Sequence, residues 1–332
     1  MANRRIWRVV ALSALLIVLG LSPQASAQQA GQVNPTASAA KEEQLLQQLK
    51  SIEGRITIPD EKANVLIQPA GQSWRSFHQN TLIWIGGIAI LGMIAVLAIF
   101  YLARGTIRIE GGRSGRRILR FNALERFVHW LTASSFIVLA LTGLNITFGK
   151  WLILPWLGPE AFATLSLWGK YAHDYLAFPF MFGLLFTFFV WIKDNIPDKL
   201  DAEWLQRGGG MVGNDHPPAK RFNAGQKLIY WAVIIGGLAL SVTGILLLFP
   251  FSGTTIGDMQ LAQTIHALIA VLLIAVMIAH IYIGTLGMEG AYDAMKTGEV
   301  DANWAKQHHS VWVQEEQSRG QAAGGKVAVP AE

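Results

Sequence analysis

The spacing of two histidines within one long apolar stretch is the clearest sign of a metal-binding function in the sequence. His266 and His280 stand fourteen residues apart in the otherwise uncharged run LAQTIHALIAVLLIAVMIAHIYIG. In an α-helix, fourteen residues advance about 21 Å and complete almost four turns, so both imidazoles project from one face at opposite depths of a bilayer. An imidazole in hydrocarbon is costly unless it is paired, hydrogen-bonded or bound to a metal. The spacing therefore predicts one membrane helix that serves two metal sites.

The composition is that of a membrane protein. Of 332 residues, 52% are hydrophobic and only 15% are charged, and twelve are Trp. The net charge of +5 comes from basic residues between apolar spans, with no basic–aromatic module, so nucleic acid is not an expected partner. The absence of Cys excludes disulfides, thiolate catalysis, Cys-ligated iron–sulfur clusters and covalent c-type haem. Any haem must be held by His or Met.

The N-terminus has the pattern of a signal peptide. The basic start MANRRIWR precedes the apolar run VVALSALLIVLGL and the small residues ASA at 25–27. Residues 1–27 are expected to be removed before Gln28, with an uncleaved anchor as the alternative. Residues 28–78 are polar and rich in Gln and Ala, and we expect an exported, weakly structured segment with a short helix around Glu42 to Ile52.

Five apolar spans follow, and each is long enough to cross a bilayer as a helix: roughly 80–102, 127–148, 171–192, 228–250 and 261–286. Basic residues cluster between the first and second spans and between the third and fourth. The segments at 149–170 and 251–260 contain only Lys150 and Lys170 as basic residues. The positive-inside rule then predicts a multi-pass protein of the bacterial inner membrane, with a periplasmic N-terminus and a cytoplasmic C-terminus.

An internal repeat divides the spans. Phe121-Asn122-Ala123, Trp130 and Thr142-Gly143 recur 101 residues later as Phe222-Asn223-Ala224, Trp231 and Thr243-Gly244. Because the repeated unit is a helical hairpin, two copies give a four-helix core. We predict an all-α membrane protein with an extra transmembrane helix at 79–103, a four-helix di-haem core at 104–292 and a cytoplasmic tail at 293–332.

Four histidines pair by depth within this topology. His129 and His280 lie near the cytoplasmic ends of their helices, and His173 and His266 lie near the exported ends. Two bis-imidazole sites result, and each could hold one haem b between facing helices. Haem is favoured over zinc because the spans offer no Cys, Asp or Glu that would complete a tetrahedral site. A hydrogen-bonded or proton-relay role for these histidines is the alternative. The other histidines are expected on the surface: His78, His216, His308 and His309.

Several segments resemble the cytochrome b556 (gamma) subunits of respiratory formate dehydrogenases, within the wider family of di-haem cytochromes b that serve hydrogenases and molybdoenzymes. The di-haem pattern alone identifies only the wider family, whereas the NIPDK loop, the NAGQK turn and the WAKQHH tail point to the formate dehydrogenase branch. The resemblance covers about 119–315 and rests on RFNALERFVHW at 120–130, YAHDYLAFPF at 171–180, DNIPDKLDAEWL at 194–205, RFNAGQK at 221–227, QTIHALIA at 263–270, AHIYIG at 279–284 and GEVDANWAKQHH at 298–309.

The resemblance implies the partners and the site residues. It matches all four paired histidines to the ligands of two haems b, and it matches Asn223, Gly225 and Gln226, with His280, to a pocket for ubiquinone or menaquinone. It implies an electron-transfer and quinone-reducing subunit that works with an iron–sulfur (beta) subunit and a molybdenum- or tungsten-containing (alpha) subunit. From the residues alone, Asn223 as a helix N-cap is an equally good interpretation.

Three rival functions remain open at this point. A cytochrome b of a related hydrogenase, thiosulfate-reducing or other molybdoenzyme complex would share the haems and differ in its partner. A haem-free structural anchor would lack a haem spectrum. A proton-coupled transporter is disfavoured because, apart from Asp174, the spans contain almost no carboxylates for a relay.

Overall fold

The computed structural model describes residues 71–210, 215–250 and 252–322. Most of these belong to one compact unit, Ser73–Glu332. The predicted signal peptide, its cleavage point and the expected short helix around Glu42 lie outside the described residues.

Five helices in the described part are long and apolar enough to cross a membrane, as the sequence predicted. Helix α1 contains a π-helical turn at Phe77–Thr81, and another π-helical turn at Ile283–Gly287 directly follows α6. The five are α1, Gly71–Arg104; α2, Ala123–Leu152; α3, Leu154–Trp191; α5, Ala224–Leu248; and α6, Ile256–Tyr282. The shorter elements are β1, Arg117–Leu119; α4, Lys199–Gln206; α7, Asp293–Lys296; β2, Glu299–Asp301; α8, Ala302–His308; and α9, Ser310–Ala322.

The segment 149–170 is almost wholly helical, whereas the sequence predicted that it connects two spans. Helix α2 continues to Leu152, and α3 takes up the rest of the segment. The turn lies at Gly158, whose φ of 74° is open to glycine, and Pro159 follows with a φ that suits a helix start. The expected limit came from bilayer thickness, which bounds the buried part of a helix but not the helix itself.

The two hairpins, α2–α3 and α5–α6, repeat each other in detail. Asn122 caps α2 by accepting from Glu125 N, and Asn223 caps α5 by accepting from Gln226 N. The indoles of Trp130 and Trp231 each donate to a backbone carbonyl just beyond the second helix of the other hairpin, Met295 O and Asn195 O. These matching bonds support the duplication inferred from the 101-residue repeat.

Helix α1 packs beside the second hairpin at its last helix. Gly86 is buried, and a Cβ atom there would lie 2.9 Å from Phe148 Cζ and 3.1 Å from Val271 Cγ1. Near the other end of α1, Phe100 and Tyr101 contact the Tyr282 ring edge-to-face. The additional helix therefore contacts both α2 and α6, the helix that carries His266 and His280.

Residues 105–122 and 286–322 fold together where α2 and α5 begin, and we call this assembly the cap. Strands β1 and β2 pair antiparallel with Ile118 opposite Val300, and Ile107 bridges to Met288. The indoles of Trp304 and Trp312 are buried beneath them. We call this end of the bundle the capped end and the opposite end the open end.

The surface assignment of His308 and His309 is wrong. His309 is fully buried, and its Nδ1 donates to Lys220 O at 2.7 Å, while His308 is partly buried against Trp304. His216 and His78 are also only partly exposed. The prediction failed because the cap is built from pairings between residues about 180 positions apart, which sequence spacing does not reveal.

Candidate metal centres

The structure brings together both histidine pairs that the sequence predicted. The ring centroids of His173 and His266 lie 6.2 Å apart near the open end, with a 60° angle between the ring planes. Those of His129 and His280 also lie 6.2 Å apart, near the capped end, at 52°. Each pair joins one histidine of the first hairpin to one of the second. The first three are partly buried, whereas His280 is exposed in the protein chain alone.

The separation within each pair suits a metal held between two imidazoles. A metal bound axially by two opposed imidazoles separates their ring centroids by roughly 6 Å, because each metal–nitrogen bond is about 2 Å long. No group of three or more His, Asp or Glu side chains with metal-binding geometry occurs within the described ranges. Each site therefore offers two protein ligands on opposite sides, the donor set of a six-coordinate haem and not of tetrahedral zinc.

A threonine holds each imidazole of the open-end pair. Thr142 Oγ1 lies 2.8 Å from His173 Nδ1, and Thr243 Oγ1 lies 2.9 Å from His266 Nδ1. Both threonines belong to the Thr-Gly dipeptides of the repeat. The repeat marks these dipeptides in the sequence, and two identical polar residues in apolar helices are a signal for a shared role, but the sequence alone does not say which role.

The glycines beside these threonines adjoin the imidazoles. A Cβ atom at Gly143 would lie 3.6 Å from His173 Cε1, and one at Gly244 would lie 3.5 Å from His266 Cε1. Gly183 serves helix packing instead. A Cβ atom there would lie 3.2 Å from Thr132 Cα, so the glycine lets α3 approach α2.

The capped-end pair has different surroundings. The Trp130 ring stands edge-on to His129, with 5.1 Å between centroids. His129 Nδ1 is buried and has no hydrogen-bond partner in the part of the chain that the structure describes. The imidazole of His280 likewise makes no hydrogen bond to a described residue. The two pairs thus share spacing but differ in the groups that hold their ligands.

The capped end also contains an arginine cluster that the sequence did not reveal. Arg120 and Arg221 are equivalent in the repeat, and each donates to the other's backbone carbonyl, at 2.7 and 2.8 Å. Arg221 also pairs with the Glu125 carboxylate at 2.6 Å, whereas Arg120 faces the neutral amide of Gln226 at 3.3 Å. Burial lowers the pKa of Arg120 to about 9, with the Arg221 charge adding to the effect. The cluster lines a polar cleft of about 270 Å³.

The NAGQ turn is a helix cap in this structure. Asn223 Oδ1 accepts from Gln226 N, and Gln226 Oε1 accepts from Asn223 N at 3.1 Å. A Cβ atom at Gly225 would lie 3.0 Å from Trp204 Cη2, so this glycine makes room for an indole. No hydrogen bond joins the turn to His280 among the described residues. The N-cap interpretation of Asn223 is therefore confirmed.

Five apolar helices and paired intramembrane imidazoles define a class of protein, the membrane-bound b-type cytochromes. Comparison with known families gives the assignment: residues 120–298 match the prokaryotic cytochrome b561 family, and the chain belongs to that family. The chain is therefore a multi-pass membrane cytochrome, and the family implies haem b as its cofactor.

Similar proteins support the predicted resemblance. The cytochrome b556(Fdn) subunit of the nitrate-inducible formate dehydrogenase of Escherichia coli K12 is 31% identical over 206 residues, covering 60% of this chain and 92% of that subunit. The cytochrome b556(fdo) subunit of E. coli K12 is 32% identical over 203 residues, with the same coverage. A formate dehydrogenase cytochrome b556 subunit of Haemophilus influenzae is 27% identical over 208 residues, 60% of this chain and 84% of that subunit. Helix α1 lies before the residues that match the family.

Proposed function

We propose that the chain is the cytochrome b subunit of a formate dehydrogenase complex in the bacterial inner membrane. It would carry electrons from an iron–sulfur subunit on the exported side, through two haems b, to quinone near the cytoplasmic side. The observation that carries the proposal is the pair of facing imidazole couples, His173–His266 and His129–His280, each with 6.2 Å between ring centroids. When bound, each haem b supplies a one-electron carrier.

The chain's own residues would position that chemistry. His173 and His266 would hold the haem nearer the exported face, and His129 and His280 the haem nearer the cytoplasm. Because α6 carries one ligand of each pair, a single rigid helix would fix the vertical separation of the two sites. The apolar side chains of α2, α3, α5 and α6 would exclude water between them.

The quinone site would lie at the capped end, beside Asn223, Gly225, Gln226 and His280. The helix cap uses the amide oxygens of Asn223 and Gln226, and their amide nitrogens form no hydrogen bond to a described residue. Those NH₂ groups could donate to a quinone carbonyl. Reduction of a quinone to its quinol takes two electrons and two protons, and the protons would come from the cytoplasm.

The orientation of the bundle in the membrane would follow from the distribution of its basic residues. The segments that flank the capped end carry most of the basic residues of the core, which the positive-inside rule assigns to the cytoplasm. The open end would then face the exported iron–sulfur subunit and, beyond it, a molybdenum- or tungsten-containing catalytic subunit. Residues 1–27 would be a removed signal peptide, 28–78 an exported segment, 79–103 an added helix, 104–292 the di-haem core and 293–332 the cytoplasmic tail.

Haem content per chain tests the proposal. Purified protein should contain two haems b by pyridine haemochrome assay, and His266→Ala and His280→Ala should each remove one from the reduced-minus-oxidised spectrum. Formate dehydrogenase subunits should co-purify with the wild-type chain. A wild type without haem b, or variants that keep both haems, would refute the site. Co-purification of a hydrogenase instead would refute the partner.

A further inference from the structure

The two threonines beside the open-end pair define which imidazole nitrogen carries the proton. Thr142 Oγ1 lies 2.8 Å from Val138 O, and Thr243 Oγ1 lies 2.7 Å from Ala239 O, so each hydroxyl donates its proton to its own helix. A hydroxyl has one proton to donate and two lone pairs to accept with. Towards the imidazole each oxygen must therefore accept, and the Nδ1 atoms of His173 and His266 must be the donors.

This assignment leaves Nε2 of both histidines with its lone pair free for a metal. It also anchors each ring, because the threonine sits on one helix of a hairpin and the histidine on the other. A hydrogen bond from Nδ1–H to an acceptor raises the basicity of the opposite nitrogen and orients the ring. A more basic axial ligand favours oxidised over reduced iron, and so lowers the reduction potential of the haem.

The capped-end pair lacks this arrangement within residues 71–210, 215–250 and 252–322. His129 Nδ1 is buried without an acceptor, and the His280 imidazole makes no hydrogen bond there. In the repeat, Tyr230 occupies the position equivalent to His129, so the capped-end site does not follow the duplicated pattern. The difference between the sites is thus one of hydrogen bonding around otherwise similar imidazole pairs.

We infer that Thr142 and Thr243 are positioning residues that set the order of the two haem potentials, making the haem at His173 and His266 the lower one. Electrons entering at the open end would then pass downhill to the haem at His129 and His280, in the direction from formate to quinone. The inference rests on the proposed function, because it requires two haems. It adds a physical cause for the direction of electron transfer between them.

Redox titration of the purified complex tests it. Thr142→Val and Thr243→Val keep the side-chain shape but remove the acceptor, and each should shift the oxidised-to-reduced ratio of one haem about tenfold toward the reduced form at a given potential, an upward shift of about 59 mV for a one-electron couple. Thr142→Ser and Thr243→Ser should restore the wild-type value. Thr147→Val is the matched control, because its hydroxyl bonds to Gly143 O and contacts no imidazole.

The His280→Ala variant assigns the potentials, because it should leave only the haem at His173 and His266. In the wild type that haem should titrate below its partner, a result that does not depend on whether the Val variants fold. Two wild-type haems with the opposite order, or folded Val variants with unshifted potentials, would overturn the inference and leave the proposed function standing. A wild type without haem would overturn both.

Discussion

The two arginines at the capped end share a position in the repeat but not a counter-charge. Arg221 pairs with Glu125, which also accepts from the Trp191 indole at 3.0 Å, whereas Arg120 meets the neutral Gln226. The Arg120 guanidinium lies instead against aromatic rings, 5.0 Å from the centroid of Trp304. Cation–π contacts and the neutral Gln226 amide thus take the place of a carboxylate at Arg120.

This asymmetry predicts unequal effects of two matched substitutions. Glu125→Gln removes the buried carboxylate partner of Arg221 but leaves its ion pair with Asp194 at 2.8 Å. It should lower the free energy of unfolding by about 1 to 2 kcal/mol, because a charged hydrogen bond in a buried site is weakened. Gln226→Glu gives Arg120 the carboxylate that Arg221 already has, and should not lower Tm. Thermal unfolding in detergent measures both. Equal destabilisation by the two variants would contradict the interpretation.

The buried histidines of the cap predict a dependence of stability on pH. Burial lowers the pKa of His308 to about 4 and that of His309 well below its usual value. Both are neutral in the folded cap, whereas in the unfolded chain they gain a proton below about pH 6.5, so the unfolded state binds more protons. Stability should be full above pH 6.5 and fall by up to about 1.4 kcal/mol per pH unit and histidine as the pH drops toward 4.

The variant His309→Asn tests whether the buried histidines of the cap cause this dependence of stability on pH. His309→Asn can still donate to Lys220 O but cannot titrate, so the dependence of Tm on pH should become shallower. A His309→Asn protein with an unchanged slope between pH 6.5 and 4 would show that the acid sensitivity arises elsewhere.

At the scale of elements, the sequence predicts what is local. Hydrophobic runs of membrane length predict the five helices, and the N-cap interpretation of Asn223 predicts where α5 begins, because Asn is a strong N-cap. The strand pair β1–β2 has no such signal: each strand is three residues long, and its partner is about 180 residues away. Long-range pairing of short strands is set by the packed cap and not by local propensity.

The packing of helix α1 should depend on the close approach at Gly86 to Phe148 of α2 and Val271 of α6. Gly86→Leu places a side chain where a Cβ atom alone lies 2.9 Å from Phe148 Cζ, so it should push α1 outward and cost about 1 to 3 kcal/mol of stability. Gly92→Leu is the matched control, because a Cβ atom there meets nothing within 4 Å. Thermal unfolding and haem retention of the two variants should differ. Similar values would mean that α1 is only loosely attached.

For the whole molecule, the helix period and loop charges sufficed to predict the histidine pairing. His129 and His280 share one depth and His173 and His266 the other, and a bundle can join only residues at the same level. The repeat singles out Thr142 and Thr243, but their contact with the imidazoles could not be predicted, because it depends on the rotation of one helix against its neighbour. The arginine cluster could not be predicted for the same reason. The repeat can be read from the sequence, but the contact between its two copies cannot.

The orientation of the whole molecule can be tested because the chain contains no Cys. Single cysteines then report sidedness without a background signal. Lys306→Cys lies on the exposed side of the cap and Glu160→Cys at the exposed open end. If the basic capped end is cytoplasmic, a membrane-impermeant maleimide should label Glu160→Cys in spheroplasts, and should label Lys306→Cys only after the membrane is opened. The reverse pattern would invert the bundle, bring His129 and His280 to the exported face, and leave the proposed direction of electron transfer without support.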